Sequence, residues 1–264
     1  MSLTGKTLAG SYKDILQMNN SNSGLTTALR TVVDGEGTAS ALIISDDAVG
    51  VFPQNDDTTE ALKVLSRGLA TVFKVDTTNQ LVTASGNIVN TQYANFGSSN
   101  IGNLAFLANT HHPIAFGTAT GLSADNTNLC SFGTSTDPAT TFTTAEGNAT
   151  RASDLVPVMW RVPDAMSIDS VTSIEGADTA TGDTTRMHLL SYDFTSGSTS
   201  ALTSGTLLAH NTDVTNAGSE QAYLSSWTVD SAAVTAGKVI LAFFRSDSIS
   251  SDYSINITVK YHLT

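Results

Sequence analysis

A single cysteine in 264 residues excludes an intrachain disulfide and a thiolate metal cluster, so Cys130 reads as a small buried hydrophobe. Charge is scarce too: Asp, Glu, Lys and Arg make up 14% of the chain, well below the usual quarter. Twelve Lys and Arg stand against 24 Asp and Glu, and nowhere do they cluster. That excludes a basic patch for DNA, RNA or an anionic membrane, whose affinity is carried by grouped cations. The net charge of −12 serves solubility, with cation binding between subunits as the sharper reading. No window is long and apolar enough for a membrane span, and MSLTGKTLAG has no apolar leader region. Synthesis in a cytoplasm and no membrane insertion are the expectations.

Catalytic signatures are missing as well. There is no Gly-x-Ser-x-Gly elbow, and Cys130 has no recognisable base beside it. No Gly-rich loop precedes a Lys-Ser or Lys-Thr pair that would cradle phosphates. Neighbouring residues on a strand point to opposite faces, so His111 and His112 would not share one metal ion there and read as surface or subunit-contact residues. The doublets Asp46-Asp47 and Asp56-Asp57 do not fit a calcium loop and read as solvated turns. Asn19, Asn148 and Asn256 begin glycosylation triplets that carry no weight without a secretory signal. Trp160 and Trp227 are assigned to a core or its rim, with carbohydrate stacking on an exposed indole as the alternative. The expectation is a protein that is not an enzyme, with no catalytic, cofactor-binding or metal residues.

What fills the chain instead is Ser, Thr and Asn, together about a third of it. Threonine's branched Cβ suits a pleated surface, whereas Ser and Asn bond local backbone and favour turns. Glu and Lys are scarce, and helical periodicity is confined to Tyr12–Met18, too short to stand alone. The fold class is all-β. Asp34-Gly35-Glu36-Gly37 lies between Leu29, Thr31, Val33 and Ala41, Ile43, Ile44, a strong hairpin signal. Four short apolar bursts follow at 49–52, 62–65, 72–75 and 81–82, spaced as consecutive strands are. Each is too small to bury itself. Either neighbouring copies complete this core or the strands form an ordinary meander packed on the next domain.

Residues 90–151 read as linker and loops, with Phe96, Phe106, Phe116, Phe132 and Phe142 recurring about every ten residues. From Leu155 the pattern sharpens. Val156–Pro163 reads as a strand framed by prolines, Met187–Phe194 as another, and the run Lys238–Arg245 as a central strand covered on both faces. In the last stretch Tyr253, Ile255, Ile257, Val259, Tyr261 and Leu263 alternate with polar residues, so one face is buried and the other wet. With turns at Gly176, Gly182, Gly197, Gly205, Gly218 and Gly237, this region is expected to supply about eight strands of a β-sandwich. The division is a segment 1–90 for attachment and oligomerisation, hairpin-like or β-prism-like, followed by a jelly-roll-like sandwich over 91–264.

The run Leu8-Ala-Gly-Ser-Tyr12-Lys-Asp-Ile-Leu16-Gln-Met-Asn-Asn-Ser-Asn22-Ser-Gly24, joined to Thr31-Val-Val-Asp34-Gly35-Glu-Gly-Thr38 and Ser40–Ser45, resembles an N-terminal segment of virion proteins of tailed bacteriophages. The resemblance is to fibre-like proteins of marine and cyanobacterial phages and covers roughly the first fifty residues. It implies a segment that anchors or begins a fibre, with Tyr12, Leu16, Asn22, Asp34 and Gly35 as assembly residues, and a distal domain shaped as a trimeric knob. It carries no catalytic motif. A short homotrimeric fibre or spike of the virion is the expectation, with other virion proteins and a host-surface glycan or protein as partners. A capsid decoration protein, cement or head fibre, is the alternative. A glycan-degrading spike would need paired Asp and Glu in a groove, and none is visible.

Overall fold

The computed structural model describes residues 16–20, 23–101, 106–117, 130–143, 155–249 and 251–264. All its sheets are antiparallel, and helical backbone among these residues is confined to Leu155 and the 3₁₀ turn Val156–Val158 that follows it. Two units divide the chain, residues 1–89 and 90–264.

The first unit holds two four-stranded meanders. One runs β1 (Gln17–Met18), β2 (Arg30–Val33), β3 (Ala39–Ile44) and β4 (Val49–Val51). The other runs β5 (Leu62–Leu65), β6 (Thr71–Asp76), β7 (Leu81–Ala84) and β8 (Asn87–Ile88). The four apolar bursts are therefore strands. The helical reading of Tyr12–Met18 fails at Gln17 and Met18, whose backbone pairs with Val33 and Val32 instead of closing a helical turn. Its residues 12–15 lie outside the described ones.

The second unit is a sandwich. Its strands are β9 (Thr91–Ile101), β10 (His112–Ile114), β11 (Trp160–Arg161), β12 (Met166–Asp178), β13 (Thr184–Phe194) and β14 (Leu202–His210). After them come β15 (Val214–Thr215), β16 (Gln221–Ser226), β17 (Thr228–Val229), β18 (Ala233–Val234), β19 (Val239–Ser246) and β20 (Asp252–Leu263). One sheet runs β16-β12-β20-β9; the other runs β10-β19-β13-β14-β17. Between them lies a core of Ile168, Val171, Ile255, Ile257 and Val259 from the first, meeting Met187, Leu189, Ile240, Ala242 and Phe244 from the second. From Leu155 on, ten strands (β11–β20) replace the expected eight, because four of them are two-residue pairings that no periodicity marks.

The strand β19 is buried along nearly its whole length, as its unbroken apolar run requires. Ile240, Ala242 and Phe244 face the sandwich interior. Val239, Leu241 and Phe243 face a second cluster, where Cys130, Phe132, Phe142, Leu155 and Val158 cover them together with Leu190, Tyr192 and Leu202. Residues 130–143 are thus the lid of a second core. Likewise β9 pairs along β20 from Thr91 to Ile101, so the linker reading of this stretch was wrong. Its Ser, Asn and Gly residues hid a strand whose inward positions, Ala94 and Phe96, are buried. Phe106, Phe132 and Phe142 are buried too. The strand expected at Val156–Pro163 shrinks to Trp160–Arg161, because Pro157 has no N–H for a ladder and instead opens the 3₁₀ turn.

The lid closes on Gly205. A Cβ there would lie 2.7 Å from both the Thr140 Cα and the Tyr192 Cε1, while the Gly205 N–H donates to Thr140 O at 2.9 Å. Tyr192 Oη donates to Ala139 O at 2.8 Å, and burial raises its hydroxyl's pKa. Replacement Gly205→Ala is expected to cost about 1–3 kcal/mol through overpacking, read as a lowered urea midpoint of the full chain with unchanged denaturant slope.

Candidate functional site

Cross-strand register makes the second meander of the first unit two-faced. Leu62 stands opposite Val75 and Val75 opposite Val82; Val64 stands opposite Phe73 and Phe73 opposite Ala84. Directly opposed residues share a face, so these six side chains form one apolar surface. The reverse carries Lys63 opposite Lys74, and Lys74 opposite Thr83. In the first meander Leu42 opposes Val51 and Ile44 opposes Val49. Val49 is 74% exposed and the adjoining Phe52 57%. Among the described residues of this unit only Val32 and Val33 are buried hydrophobes, and neither core cluster draws on it. A small antiparallel meander with an uncovered apolar face is marginal alone in water.

Of the assembly residues read from the sequence, Leu16 is exposed on the approach to β1. Tyr12 and Asn22 lie outside the described residues. Asp34 and Gly35 sit in the β2–β3 turn. The Asp34 carboxylate accepts the N–H groups of Glu36 at 2.9 Å and Thr38 at 2.8 Å, and bonding to Thr38 leads the effects that hold its pKa below the usual carboxylate value. The left-handed residue of the turn is Gly37, at φ +87°, rather than Gly35. Asp34 shapes this hairpin.

His111 and His112 are both buried, contrary to the surface reading. Nε2 of His111 lies 2.9 Å from Ser135 O, and Nδ1 of His112 lies 3.0 Å from Cys130 O, while its Nε2 accepts the Leu107 N–H at 3.0 Å. Their ring atoms hold the lid segment. Trp160 stacks on Phe116 at 5.6 Å, and Trp227 donates to Ser173 Oγ at 2.9 Å, so both indoles belong to the core. Among the described residues no group of three or more His, Cys, Asp or Glu is placed to hold a metal.

One corner of the second unit concentrates polar groups that the sequence did not single out. On the lid side of its sheet, the apolar cluster gives way to His188 and then to Arg186, which stands directly opposite Arg245. The His188 ring lies edge-on to His111 at 4.9 Å and is stacked on His210 at 6.4 Å. Nine buried side-chain polar atoms lack a hydrogen-bond partner among the described residues. Five are here: His111 Nδ1, both ring nitrogens of His188, and Nε of Arg186 and of Arg245. On the opposite face, Thr185 donates to Glu175 Oε2 at 2.7 Å, and burial raises the Glu175 pKa. The only local sign of the corner was that cations end two apolar runs. Their convergence depends on register, which no local pattern states.

Burial, with the nearby charges of His111 and Arg186, pushes the His188 pKa down to about 3. Asp137 Oδ1 lies 3.4 Å from Nε2 but off hydrogen-bond geometry, on a half-exposed side chain, so it does not offset burial. Compared with protein-family models and with curated proteins, the chain matches none.

A pH dependence follows. His188 titrates near 6.5 when unfolded and near 3 when folded, so the unfolded chain takes up the proton first as pH falls. The stability is present in full above pH 6.5 and drains between 6.5 and about 3. At about 1.4 kcal/mol per tenfold change in proton affinity, the loss is on the order of 4 kcal/mol. Denaturant titrations from pH 7 to 3.5 are expected to show this slope, and His188→Asn to flatten it.

Proposed function

We propose that the chain is a structural protein of a tailed-phage virion, a short homotrimeric fibre or spike that attaches through its first unit and presents the sandwich outward. The observation that carries the reading is the contrast between the units. The sandwich fills one core between its sheets and a second beneath its lid. The first unit leaves the apolar faces of two meanders partly open to water. Covering one Val, Leu or Phe side chain stabilises by roughly 1.5–3 kcal/mol, so copies that apply these faces to one another around an axis gain what a single copy lacks. A symmetric oligomer meets that need with a surface each copy already carries. The phage-like segment at residues 8–45 and a surface solvated by hydroxyls and amides support the same role. No catalytic step is assigned to the chain.

Light scattering at micromolar concentration is expected to give three times the 27.5 kDa chain mass. Val64→Asp with Phe73→Asp is expected to yield monomers whose main unfolding transition, that of the sandwich, is unchanged. A stable wild-type monomer overturns the trimer. Labelled chain that binds tails and host cells supports the fibre, whereas binding to empty heads alone reassigns it to shell decoration.

A further inference from the structure

The geometry points to a ligand site for a carboxylate-bearing sugar at the Arg186–Arg245 corner of the sandwich. It rests on the reading that this unit faces the host surface, and it names the chemistry that would be recognised there.

Like charges placed directly opposite on an antiparallel pair repel. Yet Arg186 and Arg245 are such a pair, in a chain with only twelve Lys and Arg. Both Nε–H groups are buried without a hydrogen-bond partner. Arg245 spends an Nη donor on the neutral Asn109 Oδ1, at 3.0 Å. Arg186 Nε lies 3.3 Å from Asp213 Oδ1, outside hydrogen-bond geometry, on a carboxylate whose side chain is 54% exposed. Both arginine side chains line a cleft of about 230 Å³, together with Asn109, Thr184, Asp213 and Asp247. Its volume falls below the ~300–1,000 Å³ typical of drug-sized ligands, which suits one small group at the end of a longer molecule.

A planar carboxylate matches guanidinium donors in paired hydrogen bonds and places its charge between the two cations. The same cleft holds two carboxylates, Asp213 and Asp247, the latter accepting the Thr184 N–H at 2.7 Å. These would repel a dianion such as phosphate or sulfate, but they accept hydrogen bonds from hydroxyls. One negative charge beside several hydroxyls is the chemistry of a uronic or keto-acid sugar, and it satisfies donors and acceptors of the cleft together.

The test uses the full chain and calorimetric titration with three probes: a galacturonate oligosaccharide, its neutral methyl ester, and inorganic phosphate. The acid is expected to bind at least about tenfold more tightly than the ester, and more tightly than phosphate, with affinity falling as salt rises. Arg186→Gln and Arg245→Gln are each expected to lose about tenfold with an unchanged thermal midpoint, and Arg245→Lys to lose part of it, since an ammonium lacks the guanidinium fork. Equal binding of acid and ester, tighter binding of phosphate, or full binding by folded Gln variants overturns the assignment. Host-cell binding that the acid oligosaccharide fails to compete leaves the fibre reading standing and removes the sugar. Sugar binding by a chain that associates with no virion does the reverse.

Discussion

The burial of β19 on both faces is the constraint on which the second unit depends. An eight-residue strand reading Val-Ile-Leu-Ala-Phe-Phe-Arg-Ser has apolar side chains on both sides of the pleat, so it needs two covers. The facing sheet is one, and residues 130–143 with 155–158 are the other. A lid of irregular backbone is tolerable because its polar groups find partners in histidine rings, in Gly205 and in the Tyr192 hydroxyl. Where the lid cover ends, the strand turns from Phe243 to Arg245, and its neighbour from Leu190 through His188 to Arg186. The polar corner is the boundary of the second core, which is why His111 and His188 are dry while His210 and the two arginines are only half so.

The first unit follows the same physics with the opposite outcome. Its strands are amphipathic and its turns well made, with Asp34 and Gly37 closing one hairpin as their chemistry demands. Among its described residues no second layer covers these strands to form a core cluster. Local propensity and register are satisfied among its described residues, while burial reaches only Val32 and Val33 of their hydrophobic side chains.

Sequence pattern revealed most where burial repeats with a regular period. The alternation of Tyr253–Leu263 became β20, the doubly buried run became β19, and the bursts at 62–65 and 81–82 became strands of the second meander. Pattern failed where burial came from covering loops. β9 carries Asn, Gly and Ser at positions that a core strand fills with valine, since one of its faces is wet, and so it read as a linker. Val156–Val158 is apolar enough for a strand, yet Pro157 withholds the ladder donor. The candidate corner was the least legible part. Arg186, His188, His210 and Arg245 are scattered over sixty residues and meet only through strand register.

A polar row on the outward face of the sheet built on β12 and β20 has a consequence for how that surface responds to salt. One row across it reads Ser226, Thr172, Thr258, Asn95, and the Thr258 hydroxyl donates to Asn95 at 3.1 Å. Hydroxyls and amides hold water through dipoles that neither titrate near neutrality nor attract an ion atmosphere. Such a row keeps the same hydration in dilute buffer and in brine, where one of lysine and glutamate would lose its long-range field.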